Sequence, residues 1–272
     1  MKDVFDLSGK HILITGGAGL LGKEHVEAVV QHGGIAIVAD INYIAAQNFC
    51  LKLNKRYDKI VAFPEYMDVL DKQSILKVAS KYEKIDVLIN NAAKDVKVEK
   101  KKDLSTNGRF ETMSYEYWKS NMKVGLDGCF LCSQIIANKM LKTGKGNIIN
   151  IASDLSLIAP DQRIYKKDNL RPDEQHVKPV TYSVSKHALV GLTKYMSTYF
   201  ADRNIRVNCL SPAGIYNDGL PDDFVSKLTS LIPMGRMANI DEYRGAIVFL
   251  CSDASAYMTG ANLVIDGGRT AW

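Results

Sequence analysis

The sequence predicts an α/β fold, a single domain in which a parallel sheet of about seven strands carries helices on both faces. Short apolar runs alternate with longer segments of helical spacing. The runs are continuously apolar, which is typical of strands buried on both faces in a parallel sheet. This alternation fills the chain without a linker, repeat or low-complexity tract. We therefore expect one domain over residues 1–272.

The elements can be read in order along the chain. The predicted strands are residues 11–17, 35–38, 59–63, 85–89, 147–151, 205–210 and 262–265. Helical spacing marks the segments between them, such as residues 22–32, 73–82, 115–140 and 182–201. Residues 154–180 break the alternation with three prolines, many charges and no periodicity, which predicts a long functional or mobile loop.

Composition and charge exclude several classes of protein. The 35 basic and 30 acidic residues give a net charge of +5, which is too small and dispersed to indicate nucleic-acid binding. No apolar run reaches the roughly 18–20 residues that span a bilayer, and the acidic N-terminus argues against a signal peptide. We expect a cytoplasmic protein that binds neither nucleic acid nor membrane. Residues 94–103 mix both charges, which predicts a solvated loop, with an anionic partner as the alternative.

The five cysteines indicate reduced thiols, because their number is odd and no export signal precedes them. Cys129 and Cys132 form a CxxC pattern inside a segment of helical spacing. No second cysteine pair completes a zinc site, and the histidines lack metal-ligand spacing. These residues are therefore expected to pack in the core, and no metal is predicted.

A dinucleotide-binding pattern follows the first predicted strand. The turn TGGAGLLG, residues 15–22, connects that strand to a helix. In such a turn Gly16 permits the tight bend, Gly19 lets the backbone approach a pyrophosphate, and Gly22 allows close helix packing. The diphosphate would lie at the positive end of the helix.

Asp40 favours NAD over NADP. It ends the second strand, 18 residues after Gly22, where a carboxylate accepts hydrogen bonds from the adenosine ribose and repels a 2′-phosphate. Residues 15–21 contain no Arg or Lys to receive such a phosphate, although Lys23 is nearby.

Tyr182 and Lys186 spell YxxxK at the start of a predicted helix. The i, i+4 spacing places the phenol and the ammonium on one face. A free tyrosine, with a pKa of about 10, is a poor base at pH 7, but a neighbouring cation stabilises the phenolate. The pattern therefore predicts a general acid/base pair.

Five further motifs accompany the glycine turn: NNAA (90–93), NIAS (150–153), YSVSK (182–186), RVNCLSPAG (206–214) and SDASAYMTGANLVIDGG (252–268). In this order and spacing they make the chain resemble the short-chain dehydrogenases/reductases over essentially its whole length. The resemblance implies a single-domain Rossmann fold, a nicotinamide cofactor, a small-molecule substrate and a homodimer or homotetramer. The implied chemistry is hydride transfer between nicotinamide and a carbon bearing a hydroxyl or carbonyl.

The resemblance also implies residue roles. Tyr182 would be the acid/base, and Lys186 would hold the nicotinamide ribose and lower the tyrosine pKa. Ser153 would hydrogen-bond the substrate oxygen, and Asn121 would anchor a water for proton relay. The implied cofactor contacts are Gly16, Gly19, Leu20, Leu21, Gly22, Asp40, Asp68, Asn91, Ala92, Tyr182, Lys186 and Ile215.

Several positions depart from the family pattern, namely Leu20, Ala93, Ala213 and Asn217. The Leu20 spacing resembles that of longer members that act on nucleotide sugars. This motivates an alternative in which NAD is retained during epimerisation or dehydration of a nucleotide sugar. A second alternative is a non-catalytic NAD-binding protein.

The largest departure is the 29-residue separation of Ser153 from Tyr182, which makes residues 154–180 an inserted loop. One hypothesis is a lid whose cations meet a substrate phosphate or carboxylate; the alternative is an exposed loop or oligomer contact. Its cations are Arg163, Lys166, Lys167, Arg171, His176 and Lys178. The segments APDQRIY and PMGRMANIDEYRGA resemble a bacterial subgroup associated with flagellin and surface-glycan modification, which implies a sugar or nucleotide-sugar substrate.

Overall fold

The computed structural model describes residues 3–93 and 108–272, so the charged segment 94–103 lies outside the described residues. The strands within them are β1 (His11–Thr15), β2 (Ile35–Asp40), β3 (Ala62–Tyr66), β4 (Val87–Asn90), β5 (Gly146–Ile151), β6 (Ile205–Pro212) and β7 (Asn262–Ile265). These seven form one parallel sheet in the order β3-β2-β1-β4-β5-β6-β7. The predicted fold class is confirmed.

Helices connect the strands and cover the sheet. In the described part of the chain they are α1 (Leu20–Gln31), α2 (Tyr43–Tyr57), α3 (Lys72–Lys81), α4 (Tyr115–Met122), α5 (Gly128–Thr143), α6 (Val180–Tyr199), α7 (Asp222–Thr229) and α8 (Arg244–Cys251). A π-helical turn, Lys123–Asp127, joins α4 to α5, so the helix predicted over residues 115–140 contains a local widening of the helix.

Strand β3 begins three residues later than predicted. Asp58 ends α2 with a left-handed φ of 49°, so the predicted start of the strand lies in the connecting loop. The Asn54 side chain accepts hydrogen bonds from the N–H groups of Val61 and Ala62, both at 2.9 Å, and fixes the strand's beginning. The edge strands β3 and β7 are also only partly buried, contrary to the expectation that every strand is covered on both faces.

The strand order reverses between β1 and β4, and this is the point where open α/β sheets bind ligands at their carboxyl ends. A buried polar network supports the sheet there. Asn90 Nδ2 donates to Asn150 Oδ1 and to Ser133 Oγ, both at 2.9 Å, and Asn150 Nδ2 donates to Thr193 Oγ1 at 2.8 Å. These bonds link β4 and β5 to α5 and α6, which fixes the strand ends relative to both helices.

Residues between β5 and α6 contain no regular helix or strand apart from three short 3-10 turns, Asp154–Ser156, Gln162–Tyr165 and Pro172–Glu174. This agrees with their irregular sequence. All five cysteines are buried and unpaired, which agrees with the reduced thiols expected from their odd number and with the core position expected for Cys129 and Cys132. Among the described residues, no group of side chains has metal-binding geometry, and no helix has the length and apolarity needed to span a membrane.

Candidate active site

A cavity of about 810 Å³ lies along the carboxyl ends of the strands. Its two ends carry the two motifs that the sequence singled out. Gly16 and Asp40 border one end, and Ser153 and Tyr182 border the other. The fold therefore brings the predicted cofactor turn and the predicted catalytic residues to one continuous space.

The glycine turn has the close packing that its sequence predicts. Gly16 has a φ of +61°, and a Cβ there would lie 3.0 Å from the Ala92 Cα. A Cβ at Gly22 would lie only 2.1 Å from the Gly16 carbonyl oxygen, so α1 can approach the strand only without a side chain at this position. No side chain caps the N-terminus of α1, so its first N–H groups have no side-chain acceptor at the N-cap. This geometry fits a dinucleotide diphosphate.

Asp40 connects the end of β2 to the turn. Its Oδ2 accepts a hydrogen bond from the N–H of Ala18 at 3.0 Å, and its Oδ1 accepts one from the N–H of Asn42 at 2.9 Å. Each carboxylate oxygen retains a further lone pair for another donor. Asp40 is thus positioned to receive a ribose hydroxyl while it supports the backbone.

The structure brings together all but one of the predicted cofactor residues. Those that line the cavity are Gly16, Gly19, Leu20, Leu21, Asp40, Asp68, Asn91, Ala92, Tyr182, Lys186 and Ile215. Gly22 is not among the lining residues, because it packs α1 against the turn instead. The positions that depart from the family pattern, Leu20, Ala93, Ala213 and Asn217, also border the cavity.

Ala213 is held in place by a tyrosine that sequence reasoning missed. The Tyr243 hydroxyl accepts a hydrogen bond from the Ala213 N–H at 3.1 Å and lies 3.3 Å from its carbonyl oxygen. Burial raises the pKa of Tyr243 to about 12, so the phenol remains a neutral hydrogen-bonding group. The backbone at this departure from the family pattern is therefore anchored by Tyr243, the N-cap residue of α8.

At the catalytic end, two ammonium groups lie near the Tyr182 ring. Lys186 Nζ is 5.7 Å and Lys178 Nζ is 3.9 Å from the ring centroid. Lys186 is buried, and its Nζ donates a hydrogen bond of 2.8 Å to the Ile151 carbonyl oxygen at the end of β5. Such cations lower the free energy of a phenolate relative to the phenol.

Asn121 lies behind this group, beside a second and much smaller cavity. That space of about 20 Å³ is also bordered by Thr181, Tyr182 and Lys186. Asn121 Nδ2 donates to the Tyr117 carbonyl oxygen at 2.7 Å. Asn121 Oδ1 and Thr181 Oγ1 are buried without a hydrogen-bond partner among the described residues. A volume of this size holds one water, which can join two such groups.

Residues from the irregular segment, from α7 and from the bend just before α7 form an apolar wall of the cavity. Its members are Ile164, Tyr165, Leu220, Phe224 and Leu228. The rings of Tyr165 and Phe224 lie 5.5 Å apart, and Lys227 Nζ donates to the Lys166 carbonyl oxygen at 2.7 Å. The segment is thereby fixed to α7. Sequence reasoning missed this wall because residues 154–180 show no periodicity.

The cations of the same segment do not converge on the cavity. Lys178 lines it, whereas Arg163, Lys166, Lys167 and Arg171 are exposed, and His176 is half-buried outside the lining. Arg163 forms an ion pair with its neighbour Asp161 at 2.7 Å. Of the six cations in the lid hypothesis, Lys178 is therefore the one that borders the cavity in this structure, and a lid that brings the others to a substrate stays a prediction.

Comparisons with known proteins agree with this geometry. A family model described as short chain dehydrogenase matches residues 10–165, and one described as Enoyl-(Acyl carrier protein) reductase matches residues 173–270. The NAD-dependent glycerol dehydrogenase of Listeria innocua is 32% identical, over 98% of this chain and 96% of its own. The D-threitol dehydrogenase of Mycolicibacterium smegmatis is also 32% identical, over 98% of this chain and 95% of its own.

Solved structures show the same fold. A gluconate 5-dehydrogenase from Burkholderia cenocepacia, in complex with NADP and tartrate, superposes with a TM-score of 0.84 at 26% identity, covering 99% of this chain and 98% of its own. A short-chain type dehydrogenase/reductase from Mycobacterium marinum gives a TM-score of 0.84 at 30% identity, with both chains fully covered. The matched family models, the full-length relatives and the shared fold establish that this chain belongs to the short-chain dehydrogenase/reductase family of oxidoreductases.

Proposed function

We propose that the protein is an NAD-dependent oxidoreductase that interconverts a secondary alcohol and a ketone on a small polyhydroxylated molecule. The observation that carries this proposal is the single cavity with the glycine turn and Asp40 at one end and Ser153 and Tyr182 at the other. A group the length of a dinucleotide would extend between the two ends and meet the substrate beside Tyr182.

In this proposal each residue has a defined task. A bound nicotinamide dinucleotide supplies hydride transfer at the carbon that carries the reacting oxygen. Tyr182 takes the proton from that oxygen during oxidation and returns it during reduction, while Lys178 and Lys186 stabilise its phenolate. Ser153 hydrogen-bonds the same oxygen and stabilises the charge that develops on it. Asn121 holds a water in the small cavity, and this water relays the proton towards the space behind Lys186.

The preference for NAD rests on Asp40, whose carboxylate opposes a 2′-phosphate. One relative is named an NAD-dependent glycerol dehydrogenase, whereas a structural neighbour was solved with NADP. The Asp40 carboxylate, already fixed by two backbone N–H groups, favours NAD for this chain.

The names of the relatives support a polyol or sugar-derived substrate, because they include glycerol, D-threitol and gluconate dehydrogenases. A sugar or nucleotide-sugar used in surface-glycan or flagellin modification is the more specific form of this proposal. In it, residues 154–180 are an insertion in a single domain and shape the substrate end of the cavity. A homodimer or homotetramer in the cytoplasm remains part of the proposal.

Net NADH formation tests the function. Purified protein with NAD is incubated with polyols, aldonates and nucleotide sugars, and absorbance at the NADH band and product structure are both followed. Stoichiometric NADH with a ketone product supports the proposal. Conversion of a nucleotide sugar without net NADH supports the retained-cofactor alternative that the Leu20 spacing motivates. Cofactor binding without conversion of any substrate supports the non-catalytic alternative.

A further inference from the structure

The serine at the catalytic end is hydrogen-bonded to a buried ion pair that the sequence motifs do not include. Ser153 Oγ donates to Asp154 Oδ1 at 2.8 Å, and Arg269 Nη1 donates to Asp154 Oδ2 at 2.5 Å. Asp154 is 2% exposed and Arg269 is 7% exposed, and both border the cavity. A chain of contacts thus runs from the C-terminal region to the serine.

A tight turn in the backbone positions Arg269 beside Asp154. Asp266 accepts hydrogen bonds from the N–H groups of Gly268 and Thr270, at 2.9 and 2.8 Å. Gly267 and Gly268 have φ values of +65° and +87°, which L side chains rarely adopt. This turn carries the chain back to the cavity after β7. The arginine position is therefore determined by a local structure rather than by a free chain end.

A lone carboxylate beside Ser153 would oppose the proposed chemistry. It would hold the serine proton and repel negative charge on the reacting oxygen. A buried charge without a partner is also strongly destabilising, whereas a hydrogen-bonded pair compensates it. Arg269 occupies the other oxygen of Asp154 and neutralises its charge, so Ser153 can turn its proton to the substrate.

We propose that Arg269 is a positioning residue that acts through Asp154. Its positive charge neutralises the Asp154 carboxylate, so that no net charge from this pair acts on Ser153 and Tyr182. The proposal rests on the proposed function for the roles of Ser153 and Tyr182. Arg269 itself is not assigned a contact with substrate or cofactor.

Further charged and titratable groups lie near these residues in the described part of the chain, among them Tyr243, on which the charge of Asp154 acts. Lys178 and Lys186 face the Tyr182 ring, and α6 packs against the turn that holds Asp154. The charge of Arg269 also acts on Asp161 and Asp266, which lie on other segments. None of these groups is altered in the variants below, so a change in the ionisation midpoint of Tyr182 can be attributed to the pair of Asp154 and Arg269.

The test compares Arg269→Gln, Asp154→Asn and the double variant with the wild type. Tyrosine labelled with carbon-13 at Cζ gives the ionisation midpoint of Tyr182 by NMR, with Tyr182→Phe to assign the signal. Arg269→Gln leaves a negative charge, so the midpoint should rise by about 0.5 to 1 pH unit. Asp154→Asn leaves a positive charge, so the midpoint should fall by a similar amount. The double variant, with neither charge, should return to within about 0.3 unit of the wild type.

Turnover gives a second measurement. The acid limb of the kcat profile for alcohol oxidation should move in the same directions, with kcat reduced about tenfold or more in Arg269→Gln and partly restored in Arg269→Lys. Folded single variants with an unchanged Tyr182 midpoint, or midpoints that move in the same direction, would overturn the inference. If the wild type oxidises none of the alcohols, the proposed function fails, while the NMR titration still decides whether the pair acts on Tyr182.

Discussion

Asp40 at the end of β2 is hydrogen-bonded to the N–H of Ala18 in the glycine turn, at 3.0 Å. The same carboxylate borders the cavity, so in the proposed function it has two tasks, to support the backbone of the turn and to meet the adenosine ribose. Asp40→Asn removes the charge and keeps one of the two acceptor oxygens, at the cost of one of the two backbone hydrogen bonds.

Asp40→Asn should shift the cofactor preference towards NADP. The amide keeps the size and an acceptor oxygen but no longer repels a 2′-phosphate. We expect the ratio of kcat/KM for NADP to that for NAD to rise about tenfold, which corresponds to about 1.4 kcal/mol. Asn42→Ala is the control, because it removes the cap of α2 at the neighbouring position and lies outside the cavity lining. An equal rise in that variant would show that local destabilisation, not charge, sets the preference.

Tyr182→Phe should reduce turnover by about 10³-fold or more while NAD affinity changes by less than about threefold, because only the hydroxyl that moves the proton is lost. Initial rates and NAD titration by tryptophan fluorescence measure the two effects. Tyr195→Phe, an exposed position on the same helix, serves as the matched control. Full activity in Tyr182→Phe would exclude this residue as the acid/base.

The sequence predicted the sheet and the glycine turn well, because both depend on local patterns of apolar residues and glycines. It could not predict the Asp154 and Arg269 pair, whose members are 115 positions apart and meet only when β7 completes the sheet. The apolar wall was hidden for a similar reason, since Phe224 meets Tyr165 only in the folded chain. The charged residues among 154–180 are evident from the sequence, but whether their side chains face the cavity or the solvent depends on the fold.

The apolar wall should determine substrate affinity. Phe224→Ala removes a ring that packs on Tyr165, so we expect the KM for the alcohol to rise about tenfold with little change in the KM for NAD. Arg163→Ala is the comparison, because Arg163 is exposed and paired with Asp161 outside the cavity. Steady-state kinetics distinguish the two variants. A larger effect of Arg163→Ala would support the hypothesis of a cationic lid.

The small cavity behind Tyr182 should contribute to proton transfer. Thr181→Val keeps the volume of the side chain but removes the hydroxyl that borders this space with Asn121. We expect kcat to fall about tenfold and the solvent isotope effect on kcat to increase, because the water loses one partner. Thr181→Ser should recover most of the rate. Wild-type kinetics in Thr181→Val would show that the hydroxyl has no part in the relay.

His25 makes folding stability depend on pH. The side chain is fully buried on α1, and neither ring nitrogen has a hydrogen-bond partner of normal geometry in the described residues, although the Asn91 side chain lies beside it. Desolvation lowers the pKa of His25 from 6.5 to about 3. Between these values the unfolded chain binds a proton that the folded chain does not, so stability falls as the pH falls through this window.

From pH 7 to pH 5 this one group should cost about 2 kcal/mol of unfolding free energy. Above pH 7 it should contribute only about 0.2 kcal/mol more, because the ring is then mostly neutral in both states. Urea unfolding at pH 5, 6 and 7 measures the effect in the wild type and in His25→Gln, which has no titrating ring. His187→Gln is the control, since that ring is exposed on α6 and hydrogen-bonded to the Ser183 carbonyl oxygen. If His25→Gln lost as much stability as the wild type between pH 7 and pH 5, another group would have to bind the proton.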